Sequence, residues 1–450
     1  MSRLYARPGT TYAALADALA WLWRLPPTAP KPEPGAVALA GAEDAAELAA
    51  AVDAGQLAGA AVLLTGAADA DGALPARRLV AGAVHFERSW VDGVFTVLDG
   101  GLPVVRSRAG AHAVRDGAML FVGSEPGNWG DLAYFWVHGT LADFVGERLD
   151  RALALLPPIG CLRLDDAPGT AELQVTGVAK DDDRERRRIE GIVRALERTG
   201  SKLVVAVVAR ALADGRPAPI EEVWPAGVKA LQEGVRAGVL EPACHGLLHL
   251  DEAAYAEGRV EAREFLSVTR AQAGRMLDEA TAWMAMVLGK PRSFIAPAWG
   301  YSEGTFEAAA ERGLPTWTPP EPAPLLDGVL VRETLHDGLA GLHGLDYSPL
   351  AELAAAGVPP TVVFHGRLLD GRVQRLRAAS DFRSLARLGP RRDLERIAAL
   401  RGVRWVGAAE LVDRLRAHAS IEPGEDGPLI PDGVEAVLLH PDGRREALAA

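Results

Sequence analysis

The sequence predicts an α/β protein in three parts: a small open α/β domain over residues 1–155, a distorted (β/α) barrel over 156–420 and a short β-hairpin appendage over 421–450. Three observations predict it. Short apolar runs alternate with helical stretches, the pattern of parallel strands covered on both faces. The alternation breaks at Leu155-Leu156-Pro157-Pro158 and restarts with six or seven repeats over about 260 residues, the scale of a barrel. A chain of 450 residues also exceeds the size at which one core stops growing, which favours two or three domains.

The elements follow in order. Residues 12–23 form an amphipathic helix capped by Thr10 or Thr11 and broken by the four prolines between Pro26 and Pro32. Val37-Ala38-Leu39 reads as a strand, 43–54 as a helix and 60–64 as a second strand; 103–105 and 119–122 read as further buried strands. The Gly-rich turn 123–127 matches neither a phosphate loop nor a dinucleotide fingerprint, and Pro126 breaks any nucleophile elbow. Beyond the boundary, strands are expected at 160–164, 202–208, before Cys244, at 293–296, near 315–317, at 360–364 and at 403–406. Helices are expected at 183–199, 221–237, 261–288, 305–312, 391–400 and 408–418. The tail carries an Asp442-Gly443 turn between two short runs, a hairpin signal.

Composition narrows the function. At 49% hydrophobic and 24% charged residues the chain is an ordinary globular protein, not a disordered or collagen-like one. A net charge of −12 repels polyphosphate, and the block 181–188 mixes both signs as a solvated helix start does, so no nucleic-acid partner is expected. Cys161 and Cys244 cannot staple a chain of this size. The apolar stretch 12–23 is too short to span a bilayer and lacks a signal peptide's cationic start, so a cytoplasmic protein without a membrane partner is expected.

In a (β/α) barrel the active site gathers at the C-terminal ends of the strands. Three such ends carry chemistry: Arg163-Leu164-Asp165-Asp166, His245-Gly246-Leu247-Leu248-His249, and His365 after Thr361-Val362-Val363-Phe364. Histidines four positions apart on one turn can grip one ion, and a carboxylate from a neighbouring strand supplies a third ligand. Nitrogen and oxygen donors suit zinc or cobalt. Alone, His-x-x-x-His is more often a surface or core pair than a metal site, and Asp-Asp is a weaker signal still because it also caps helices. Their joint placement at strand ends of one repeat series favours the site.

These motifs resemble the polysaccharide deacetylase (NodB-homology) superfamily, carbohydrate esterase family 4 in the broad sense. The resemblance covers about residues 158–415, with the motifs in family order, and implies a barrel of the NodB-homology type. It implies Asp165 as catalytic base and Asp166 as metal ligand. His245 and His249 become the other two ligands, and His365 the catalytic acid. The third motif falls on Ile295-Ala296-Pro297-Ala298-Trp299-Gly300, which makes Pro297, Trp299 and Tyr301 candidate substrate contacts. The implied cofactor is a divalent metal, zinc first, with cobalt or nickel as alternatives. Two departures mark a divergent bacterial branch. Gly246 replaces the Ser or Thr that steadies the metal-binding loop, and Ile295 stands where the family has an arginine that holds the base. Arg163 and Arg292 are the candidates for that missing cation.

The expected function is metal-dependent hydrolysis of an N-acetyl or related acyl group on an amino sugar or glycan-related compound. Alternatives are hydrolysis of a non-sugar C–N bond of ureide or imide type, or non-catalytic binding on a deacetylase barrel. The partner is an acylated small molecule or carbohydrate, with a homo-oligomer allowed. His336 and His343 are lesser candidates for the mouth of the barrel, while His85, His112, His138 and His440 read as structural. Residues 1–155 show no nucleophile–base pair; they are expected to scaffold or gate, at most a degenerate amidotransferase-like domain.

Overall fold

The computed structural model describes residues 2–64, 74–85, 90–123, 135–168, 181–213, 216–249, 263–297, 300–318, 331–332, 335–336, 347–365 and 390–448. The first sheet comprises β1 (Leu4–Tyr5), β2 (Val37–Gly41), β3 (Gly59–Leu63), β4 (Ala76–His85), β5 (Trp90–Asp99), β6 (Leu102–Ser107), β7 (Gly110–Asp116) and β8 (Met119–Val122). Its order is β1-β2-β3-β8-β7-β5-β4, with β6 on β7. The β1-β2-β3-β8 half is parallel, as the apolar runs predict, and β2 and β3 are buried at every position. The other half is antiparallel. There the expectation of a wholly parallel sheet with a buried strand at 103–105 is corrected: β6 alternates, leaving Leu102 69% and Val104 48% exposed. Tight turns decide it. Gly100, Gly101 and Gly117 all take positive φ, and connections this short can only return the chain antiparallel.

The second sheet is wholly parallel. After β9 (Leu153–Leu155) come β10 (Ile159–Ala167), β11 (Leu203–Val207), a hairpin of β12 (Arg210–Ala213) and β13 (Arg216–Pro219), then β14 (Leu240–Cys244) and β15 (Phe294–Ile295). They are followed by β16 (Thr316–Thr318), β17 (Val331–Arg332), β18 (Leu335–His336), β19 (Thr361–His365) and β20 (Arg404–Val406). Leaving out the β12–β13 hairpin, the order is β17-β16-β15-β14-β11-β10-β19-β18, with β20 beside β10. Among the described residues no pairing joins β17 to β18, so the described strands form a half-barrel of the distorted (β/α) barrel expected from the sequence.

The central strand β10 is buried at all nine positions. Its first three residues pair with β20, and the Lys202 N–H donates to the Trp405 carbonyl, so β20 wedges between the starts of β10 and β11. Gly160 permits this approach: a Cβ there would lie 2.6 Å from the Trp405 ring and 2.9 Å from the Pro360 oxygen. The charged block starts a helix, Asp182–Thr199, capped by Asp181 and ended by Gly200 at φ 65°. The helix expected from 261 instead spans Arg270–Val287, because Thr269 and Gln272 form a capping box that sets its start. No described helix is long and apolar enough to cross a membrane.

The tail forms the expected hairpin, β23 (Ala436–Leu439) with β24 (Arg445–Leu448), after a two-residue pair β21 (Glu422–Pro423) and β22 (Pro428–Leu429). Its strand β23 also pairs antiparallel with β9. Nearby, His418 of the helix Ala408–Ala419 places Nε2 2.9 Å from the Leu22 carbonyl. Burial, with Arg24 close by, pushes its pKa from 6.5 down to about 4. A folded-state pKa below the unfolded one means that protonation favours unfolding, so this contribution is complete above about pH 6.5 and is lost as pH falls toward 4. Urea unfolding between pH 7 and pH 4 should therefore cost the parent up to about 3 kcal/mol more than His418→Leu. Parallel pH curves for the two would refute the assignment.

Candidate metal and catalytic site

Adjacent residues of a regular strand point to opposite faces, so Asp165 and Asp166 require a break in β10. The break is there. The register with β11 shifts between Leu164 and Ala167, and Asp166 adopts φ 60°, a left-handed conformation costly for a residue with a Cβ. Asp166 Oδ1 lies 3.2 Å from both His245 Nε2 and His249 Nε2. Asp166 and His245 are buried, His249 is nearly so, and the donor atoms of all three fall within 4.8 Å of one another.

The donor set fits a divalent cation. His245 Nδ1 lies 2.9 Å from the Ile295 carbonyl, which places a proton on Nδ1 and turns Nε2 toward the Asp166 carboxylate. In that orientation Nε2 of His245 and the Asp166 carboxylate are donors that a divalent cation between them would join. Position 295 thus serves the site through its backbone, which no side-chain pattern reveals. His249, like Asp166, has positive φ, at 70°. Strained backbone at two of the three ligands is expected only where the surroundings hold it in place.

The loop 245–249 is held from two sides. Ala209 and Arg210 N–H groups donate to the carbonyls of Gly246 and Leu247. On the other side the buried Glu264 carboxylate accepts from Leu247 N at 2.9 Å, Leu248 N at 3.3 Å and His249 N at 3.1 Å. Burial pushes the Glu264 carboxyl up to about 7, against the pull of those three N–H groups. Sequence reasoning missed Glu264 by placing it inside the expected 261–288 helix. The Thr269-x-x-Gln272 box, which puts 264 ahead of the helix, was the signal available.

Asp165 is held separately. Arg163, two residues back on the same face of β10, donates from Nε to Oδ1 and from Nη2 to Oδ2, both at 2.8 Å. Its guanidinium lies 5.1 Å from the Trp317 ring centre. Of the two cations considered, Arg163 therefore pairs with the base candidate; Arg292 is exposed and acts on Glu241. His365 is in register with Asp165 across β10 and β19. Pro297 is buried just beyond β15. Tyr301 stacks on Phe306 at 4.8 Å and donates its hydroxyl to the Trp317 carbonyl, so its polar tip is already engaged in packing. Trp299 and His343 lie outside the described residues, and His336 is in register with Val363 on β19. Both cysteines are buried free thiols, and burial pushes Cys244 up to about 12, which excludes it as a nucleophile.

Fold and donor set together define a mixed α/β protein with an Asp–His–His candidate metal site at the strand ends of a parallel sheet. No protein-family model and no curated protein matches the sequence. Solved structures do, many of them of carbohydrate esterase family 4. An acetyl xylan esterase of that family from Clostridium thermocellum, in complex with a cobalt ion, is 14% identical with a TM-score of 0.29, covering 57% of this chain and 90% of that one. A family 4 carbohydrate esterase from Streptomyces lividans in complex with acetate is 12% identical with a TM-score of 0.30, covering 59% and 98%. A mutant of a CE4 family pseudoenzyme from Bacillus anthracis, with restored enzymatic activity, is 12% identical with a TM-score of 0.33, covering 57% and 68%. At such distances the residues of the site carry the functional reading.

Proposed function

We propose that this protein is a divalent-metal-dependent hydrolase that removes an N-acetyl or related acyl group from an amino sugar or another glycan-related compound, with zinc as the first candidate ion. The observation that carries the reading is the convergence of Asp166, His245 and His249 within 4.8 Å, while the adjacent Asp165 stays outside that group, clamped by Arg163. A divalent cation bound there supplies a Lewis acid that polarises the acyl carbonyl and acidifies a water. The chain's own residues do the rest. Each Asp165 oxygen spends one lone pair on Arg163 and keeps another, so the carboxylate is oriented yet still able to take the proton of the attacking water. His365, beside Asp165 on the next strand, gives a proton to the departing amine nitrogen. On this reading the described sheet is part of a NodB-type barrel over 156–420, and residues 1–155 scaffold it or gate the substrate.

The test is metal analysis of the purified chain, then acetate release from a panel of N-acetylated sugars with and without chelator. Expected are about one bound ion per chain, release from at least one amino sugar, loss on chelation and recovery with zinc or cobalt. Release from ureides or imides but not from sugars would move the substrate class. Bound metal with no turnover on any of them would replace the hydrolase by a binding protein.

A further inference from the structure

We propose that Glu264 is the positioning residue of the metal-binding loop, and that its carboxylate, together with a φ of 87° at residue 246, is what keeps that position glycine. The inference rests on the metal-site reading for its purpose, but its geometry stands independently. One buried carboxylate gathers three consecutive N–H groups, those of Leu247, Leu248 and His249. The last belongs to a ligand in left-handed conformation. A Cβ on Gly246 would overlap Glu264 Oε2 and lie 3.0 Å from the Phe265 ring. In the family that the motifs resemble, a Ser or Thr at that position steadies the loop from within. Here the same work is done from outside, by a residue 15 positions beyond His249.

The support for Glu264 is rigid. Phe265 is fully buried, with its ring 5.1 Å from that of Phe294 in a T-shaped contact. The Thr305 hydroxyl donates to the Phe265 carbonyl at 3.2 Å, and the Ser302 hydroxyl to the Val268 carbonyl at 2.9 Å. The segment that carries Glu264 is thus anchored to β15 and to the helix Glu303–Glu311, independently of the loop its carboxylate gathers. Losing it would strand three N–H groups in a buried loop, and the left-handed turn at His249 would no longer be imposed.

Two measurements on the full chain test this, with Glu264→Gln retained as the variant that keeps the shape. In metal-free protein, hydrogen exchange of the peptide spanning 245–250 should speed up about tenfold or more in Glu264→Ala and less in Glu264→Gln. Cobalt affinity should fall about 10–100-fold in Glu264→Ala, the range for residues that orient ligands without touching the ion. Gly246→Ala supplies the second arm. It should loosen the same peptide in both backgrounds, because a Cβ at φ 87° is strained in either, but more in the parent, where the Glu264 carboxylate also fills the space. Unchanged exchange in Glu264→Ala, or a Gly246→Ala effect no larger in the parent than in Glu264→Ala, would overturn the proposal. A parent chain that takes up no cobalt would instead overturn the metal site, while the exchange data would still decide the role of Glu264.

Discussion

His249→Ala is expected to abolish metal binding and hydrolysis together while leaving the fold in place. The side chain supplies one of three donors, and two donors hold a borderline cation far more weakly, by at least about 100-fold given what even outer-shell losses cost. The loop should survive because its bonds to Glu264 come from the backbone N–H of residue 249, which alanine keeps. Alanine also pays only about 1–3 kcal/mol for the left-handed conformation that histidine already pays. The two effects separate in a thermal melt. With chelator, parent and variant should unfold at similar temperatures; with zinc at a hundred times its dissociation constant, only the parent should gain about 2.7 kcal/mol. Equal zinc stabilisation of both proteins would remove His249 from the ligand set.

Asp165→Asn is expected to lower turnover by about 10²-fold or more without changing metal content, since general-base catalysis contributes on that scale. The substitution is nearly isosteric, and the amide oxygen can still accept one bond from Arg163. The amide nitrogen cannot accept the other, so a buried guanidinium is left partly unpaired. Breaking a buried pair outright costs about 3–5 kcal/mol, so unfolding must be measured beside the kinetics. A variant that is stable, metal-replete and slow supports the proton-transfer role. One that turns over as fast as the parent removes Asp165 from the chemistry while leaving the metal site intact.

Much of this site is legible in the sequence. Asp166, His245 and His249 stand out because their residue types and their places after apolar runs are local signals, and the structure brings them within 4.8 Å. Most strands of the second sheet are legible for the same reason, being short runs buried on both faces. Arg163 is visible as a candidate but its partner is not. Whether residues 163 and 165 share a face depends on where the strand bulges, and the register with β11 shifts only after Leu164.

What the sequence by itself determined is the alternation of strand and helix, the donor residues and their order along the chain. What only the tertiary structure decided is how distant segments meet. The antiparallel half of the first sheet follows from glycine turns at φ above zero, which apolar content does not report. The pairing of β23 with β9 joins segments nearly three hundred residues apart. The Ile295 carbonyl that fixes His245 and the Glu264 carboxylate that gathers the loop act at separations of 50 and 15–17 residues. Periodicity and propensity are properties of neighbouring residues. A buried polar group must instead find its partner wherever the packed chain supplies one, and that choice exists only once the sheet has formed.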